Sequence, residues 1–147
     1  MNILCQQDKR WASKFLGKTK YNLGRWGCTT TGITQGYNLL FGKQKTPANV
    51  AQILDYTPEG YILWKSLQKL NLRLTERFYG RKDVSIMEGL KNPNKFVLLQ
   101  VNNNHWVFLM GRWIPILGYR IADPWKGDTC YTNRYKNNIT GGAVITK

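Results

Sequence analysis

The sequence predicts an α+β domain, on three observations. Its first half carries helix punctuation, with threonine-proline starts and a glycine stop around apolar residues at helical spacing. Its second half changes to short runs of alternating or continuous apolar residues divided by polar and glycine-containing segments, the mark of antiparallel strands. Its 147 residues are enough for one hydrophobic core and too few for two ordinary ones, so 1–147 is expected to be a single domain. No internal repeat or low-complexity linker divides it.

In chain order, "CTTTGITQGYNLLFG" reads as a helix from about Cys28 or Thr29 to Phe41, with Gly42 as its C-cap. Gly32 and Gly36 inside it each cost about 1 kcal/mol relative to alanine, so close packing is expected to require them. "TPANVAQIL" follows, with Thr46 as N-cap and Pro47 in the first helical position. "TPEGYILWKSLQKLN" repeats that start at Thr57 and Pro58 and places Leu63, Leu67 and Leu70 on one helical face. "LRLTERF" alternates as a half-buried strand does. "DVSIMEGLKNPN" reads as a short helix begun by Asp83 and stopped before Pro93. "KFVLLQVN", "HWVFLMG" and "GYRIADP" read as strands, with "TCYTN" and "GAVITK" adding shorter ones. The helical half is expected to pack on the antiparallel sheet.

The charge balance is extreme, 22 Lys and Arg against 8 Asp and Glu for a net +14. Such a surface attracts polyanions. The basic residues are scattered and no nucleic-acid-binding motif accompanies them, so nucleic acid is a partner on grounds of charge alone. No apolar run is long enough to cross a bilayer. The start, "MNILCQQDKRW", lacks the apolar stretch and cleavage site of a secretory signal. The expectation is synthesis in the cytoplasm, with delivery by other means, or in a virion, if the protein acts outside. Three cysteines, Cys5, Cys28 and Cys130, do not make a disulfide framework. Without a CxxC pair or a second histidine, neither a metal site nor a cofactor is expected.

A single histidine, a cysteine and a carboxylate suit catalysis better. Free cysteines are most often buried packing residues. Cys28, however, opens a helix, where unpaired N–H groups and a partial positive charge stabilise a thiolate. Gly27 before it reads as clearance beside the sulfur. His105, the only histidine, stands at the mouth of an apolar strand in "VNNNHWVFLM" and can exchange a proton near neutral pH. Asp123 ends the next strand in "GYRIADPWKG". Since the start of one antiparallel strand lies beside the end of its partner, His105 and Asp123 are expected to be neighbours. A carboxylate on the far ring nitrogen then fixes the tautomer and supports the imidazolium. Trp106, Trp113, Trp125, Tyr119 and Tyr131 surround these segments as packing residues or groove walls, and Trp26 is the best candidate for a cleft wall.

Four ordered patches, "QQDKRW", "GCTTTG", "HWVFLMG" and "YRIADPWKG", together with "TPANV" and "GYILWKSL", span Gln6 to Gly127. In this set the chain resembles the C39-like group of papain-fold cysteine peptidases, especially small bacterial and phage-type members. The resemblance implies a papain-like fold, Cys28 as nucleophile, His105 as general base and acid, and Asp123 as its orienting partner. It also implies that a glutamine amide and the cysteine's backbone N–H form the oxyanion hole, which makes Gln6 the candidate and its neighbour Gln7 the alternative. The expected activity is hydrolysis of a peptide or other amide bond through an acyl-enzyme, with a peptide or peptidoglycan-like, anionic substrate suited to the basic surface. A phage-related role in lysis, entry or processing rests on the resemblance alone. The competing expectations are a basic polyanion- or nucleic-acid-binding protein on the same frame, and a catalytically silent structural protein.

Overall fold

A computed structural model describes residues 1–147. Four helices and six strands follow one another in an α+β arrangement. Helix α1 (Leu23–Trp26) is capped by Asn22, whose side chain accepts from the Arg25 N–H at 2.9 Å. Helix α2 (Cys28–Phe41) ends at Gly42, which adopts the left-handed conformation with φ 59°. Its interior glycines are contact points. A Cβ on Gly32 would lie 2.9 Å from Leu98, and one on Gly36 would lie 2.5 Å from the ring of Phe96. The helix therefore lies directly on the sheet, and helix propensity gives way to close packing. Helix α3 (Pro47–Ile53) starts with a reciprocal capping box: Thr46 Oγ1 accepts from the Asn49 N–H at 3.1 Å, and Asn49 Oδ1 accepts from the Thr46 N–H at 3.0 Å.

The second threonine-proline start does not open an α-helix. The Thr57 N–H donates to the Tyr61 carbonyl at 2.8 Å, the Thr57 hydroxyl accepts from the Tyr61 N–H at 3.1 Å, and Gly60 has φ 88°. These bonds close a turn in place of the first helical bonds. A 3₁₀ segment (Trp64–Leu70) follows, in which Leu67 and Leu70 are buried while Leu63, before it, is exposed.

Strand β1 (Arg73–Tyr79) precedes α4 (Asp83–Lys91), in which Asp83 is the first helical residue. Strands β2 (Lys95–Val101), β3 (His105–Ile114), β4 (Gly118–Asp123), β5 (Asp128–Tyr131) and β6 (Ile139–Thr146) complete one antiparallel sheet in the order β1-β6-β2-β3-β4-β5. Strict alternation along β2 divides two cores. Phe96 and Leu98 join Ile33, Val50, Leu54, Leu67 and Leu70 beneath the N-terminal helical half. Val97, Leu99 and Val101 face the other way and pack with Ile86 of α4. Both faces of the sheet are thus covered, which explains why β2 reads as a continuous apolar run. Trp113 and Tyr119 pack edge to face, with ring centroids 5.3 Å apart, within the second core, so these two aromatics are packing residues. No helix is long and apolar enough to cross a membrane.

Candidate active site

Cys28 is the first residue of α2, immediately after the short helix α1, and is partly exposed in a cleft of about 830 Å³. The first N–H groups of a helix have no intrahelical acceptor, so this end of α2 presents donors and a partial positive charge beside the sulfur. Gly27 joins the two helices, and here the structure corrects the expectation of clearance beside the thiol. A Cβ on Gly27 would lie 2.5 Å from the Leu23 carbonyl oxygen and 2.7 Å from Leu23 Cδ2. The missing side chain lets α2 start against the last turn of α1, and this sharp junction holds Cys28 at the cleft.

His105 and Asp123 are brought together as strand register demands. Phe108 pairs with Ala122, so the start of β3 and the end of β4 lie at the same sheet edge. His105 Nε2 and Asp123 Oδ1 are 2.8 Å apart, which leaves Nδ1 for the thiol. Asp123 is fully buried and saturated with donors. Its Oδ1 also accepts the Trp125 N–H at 3.0 Å, while Oδ2 accepts from Arg134 Nη1 at 3.0 Å and from the Tyr135 hydroxyl. Burial alone would raise the Asp123 pKa, but the hydrogen bonds from His105 and Tyr135 and the imidazolium charge outweigh it and hold the carboxyl down at about 2. For His105 burial acts to lower the pKa. The Asp123 bond and the adjacent Cys28 overcome it and push the imidazole up to about 9. An imidazolium is therefore the favoured form at neutral pH.

Sequence reasoning missed Arg134 and Tyr135. They sit in a 3₁₀ turn (Thr132–Tyr135) after β5, within the "NRYKNN" stretch that reads as scattered surface charge. Arg134 also grips Asp128 through two bonds of 2.9 Å, and Asp128 pairs with Asp123 across the β4–β5 hairpin. Asp123, Asp128 and Cys130 come within 4.8 Å of one another, a grouping that resembles a metal site. The guanidinium bonded to both carboxylates already supplies the cation there.

Gln6 is buried and lines the same cleft. Its backbone N–H donates to the Pro124 carbonyl at 2.8 Å, and its Nε2 reaches the Leu23 and Gly24 carbonyls at 3.4 and 3.3 Å, long for such bonds. Its Oε1 has no hydrogen-bond partner. Gln7, the alternative, is exposed, donates from Nε2 to the Trp125 carbonyl at 2.9 Å and does not line the cleft, whereas Gln6 does, as does Gln100 of β2.

Of the tryptophans singled out from sequence, Trp26, Trp106 and Trp125 line this cleft and Trp113 does not. Trp26 is half exposed and meets the Tyr21 ring edge to face. Trp106 packs on Trp64 with ring centroids 5.8 Å apart. Aromatic rings thus share this cleft with a thiol, an imidazole and an amide. No family model matches the chain, and no curated protein matches it.

Proposed function

We propose that this chain is a thiol-dependent amide hydrolase, a cysteine peptidase with a papain-like fold of the C39-like type. The observation that carries the proposal is the placement of Cys28 on a helix start beside an imidazole whose far nitrogen is held 2.8 Å from a buried carboxylate. In this reading His105 and Cys28 form a thiolate–imidazolium pair. The Cys28 sulfur attacks the substrate carbonyl carbon and its electron pair moves onto the oxygen. The backbone N–H of Cys28 and the Gln6 amide, turned from its long bonds, donate to that oxyanion. His105 gives its proton from Nδ1 to the departing amine, and a thioester joins the acyl group to Cys28. The neutral imidazole then takes a proton from water, whose oxygen attacks the thioester, and release of the carboxylic acid restores the pair. Asp123 keeps the ring in one tautomer throughout and stays ionised.

Iodoacetamide labelling followed by peptide mapping tests the proposal. Cys28 is expected to react faster than a model thiol below neutral pH, and His105→Ala is expected to remove that advantage. Equal, slow labelling of both proteins sinks it. The net charge of +14 favours one other reading, a polyanion binder on the same frame. Its signature is binding that weakens steeply with salt and survives Cys28→Ala.

A further inference from the structure

Arg77, on β1, is held in the cleft as a fixed guanidinium without a carboxylate. Its Nη1 donates to the Phe78 carbonyl at 2.6 Å and to the Gly142 carbonyl at 3.3 Å. Its guanidinium carbon lies 4.8 Å from the ring centroid of Trp106 and 4.3 Å from that of Tyr79. Room for it is left on β6, where a Cβ on Gly141 would lie 2.9 Å from Nη1. Six of the eight acidic side chains pair with Arg10, Lys69, Arg81, Lys82, His105 and Arg134, Glu59 and Glu88 are in no ion pair, and Arg77 is in none of these pairs. Its Nε and Nη2 donors have no acceptor in the protein, yet the residue is half-buried. A pinned, stacked and unpaired guanidinium on a cleft wall is a built receptor for an anion.

We propose that Arg77 reads a carboxylate, and that the substrate of this cleft is an acidic peptide that lays an Asp or Glu side chain along the Trp106 wall. The inference rests on the peptidase reading for the identity of the chain being bound. Two adjacent donors, Nε and Nη2, match the two oxygens of a carboxylate side-on. The only other arginine on the cleft is Arg25, set over Trp26 with its guanidinium carbon 5.2 Å from the ring centroid. Glu59, the single carboxylate lining the cleft, pairs with neither arginine and disfavours a second acidic group near it.

The test is made on Cys28→Ala protein, so that it needs no reactive thiol. Fluorescein-labelled alanine-glycine octapeptides, with one Glu walked through the positions, are compared by anisotropy with the matching Gln peptides. Glu is expected to bind about tenfold tighter at one or two positions, and Arg77→Gln is expected to abolish that preference. Arg77→Lys keeps the charge but loses the fork, and is expected to retain only part of it. Thermal melts of each variant report folding. A preference that is equal at every position and indifferent to Arg77→Gln comes from the overall charge and overturns the proposal. So does Arg77-dependent binding of glycerol-phosphate polymer without any Glu preference, or the absence of a Glu preference altogether. Failure of Cys28 to show activated labelling rejects the peptidase reading separately, and the Glu-to-Gln ratio still decides the role of Arg77.

Discussion

The two sides of the cleft differ in how completely their polar groups are satisfied. On the strand side, Asp123 receives bonds from His105, Trp125, Arg134 and Tyr135, and nothing is left over. On the helix side, Gln6 makes two long bonds through Nε2 and none through Oε1. Buried polar atoms without partners are rare in folded proteins and cluster where function needs spare capacity. In the proposed peptidase reading, the imidazole–carboxylate half is preorganised before substrate arrives, while the Gln6 amide has weak bonds to exchange for stronger ones to an oxyanion.

The harshest way to break this contrast is Asp123→Ala. It strips His105 of its anchor and leaves Arg134 and Tyr135 facing a vacated, buried position. Loss of about 3–5 kcal/mol is expected, the usual cost of removing one member of a buried ion pair, together with the fast phase of Cys28 alkylation. Denaturant melts and iodoacetamide kinetics measure the two.

Gln6→Ala sharpens the contrast, because it separates carbonyl chemistry from thiolate formation. Hydrolysis of denatured protein is expected to fall about 100- to 1000-fold, while iodoacetamide labelling, which forms no oxyanion, keeps its rate. Equal loss of both places Gln6 in support of the thiol and cancels the distinction.

Stability against pH probes the strand side alone. The His105 pKa is raised to about 9, so its contribution is complete below its ordinary value of 6.5 and is lost as pH rises through 9. The Asp123 pKa is lowered to about 2, so its contribution is complete above its ordinary value of 3.8 and is lost as pH falls toward 2. The Tm gap between the native protein and His105→Gln is expected to narrow between pH 6.5 and 9. A gap constant over that window removes the imidazolium from the account.

Arg134→Gln should have the smallest effect, about 1 kcal/mol on stability, since much of its pairing is to the exposed Asp128. Taking one cation from Asp123 strengthens the carboxylate's hold on the imidazolium. The alkaline limb of Cys28 alkylation therefore moves upward in pH, a shift that a purely structural role of Arg134 does not produce.

The strands and their adjacency were legible because β2, β3 and β4 are divided by three-residue turns, the asparagines of 102–104 and the proline-led 115–117, and antiparallel pairing brings the start of β3 beside the end of β4. Helix α3 was legible because the Thr46–Pro47 start carries its own local bonds. The same signal misled at Thr57, where Gly60 bends the chain before a helix can propagate. Arg134, Tyr135 and Arg77 were hidden for another reason. Their roles depend on what long-range strand pairing sets beside them, and one-dimensional patterns carry no trace of it. The second helical layer was likewise unforeseen, because the face of the sheet that α4 covers is set by strand alternation in β2 and by pairing with distant strands.

The placement of β6 joins the two ends of the chain's strand sequence in the sheet. Strand β6, near the end of the chain, lies between β1 and β2 and hydrogen-bonds to both along its length. Until residues 139–146 are available, β1 has no neighbour in the sheet and the wall bearing Arg77 has nothing to stand on. Closing the chain between such distant partners costs more entropy than forming local contacts does. A chain without residues 139–146 thus keeps Cys28, His105 and Asp123 but loses the only sheet neighbour of the strand that carries Arg77.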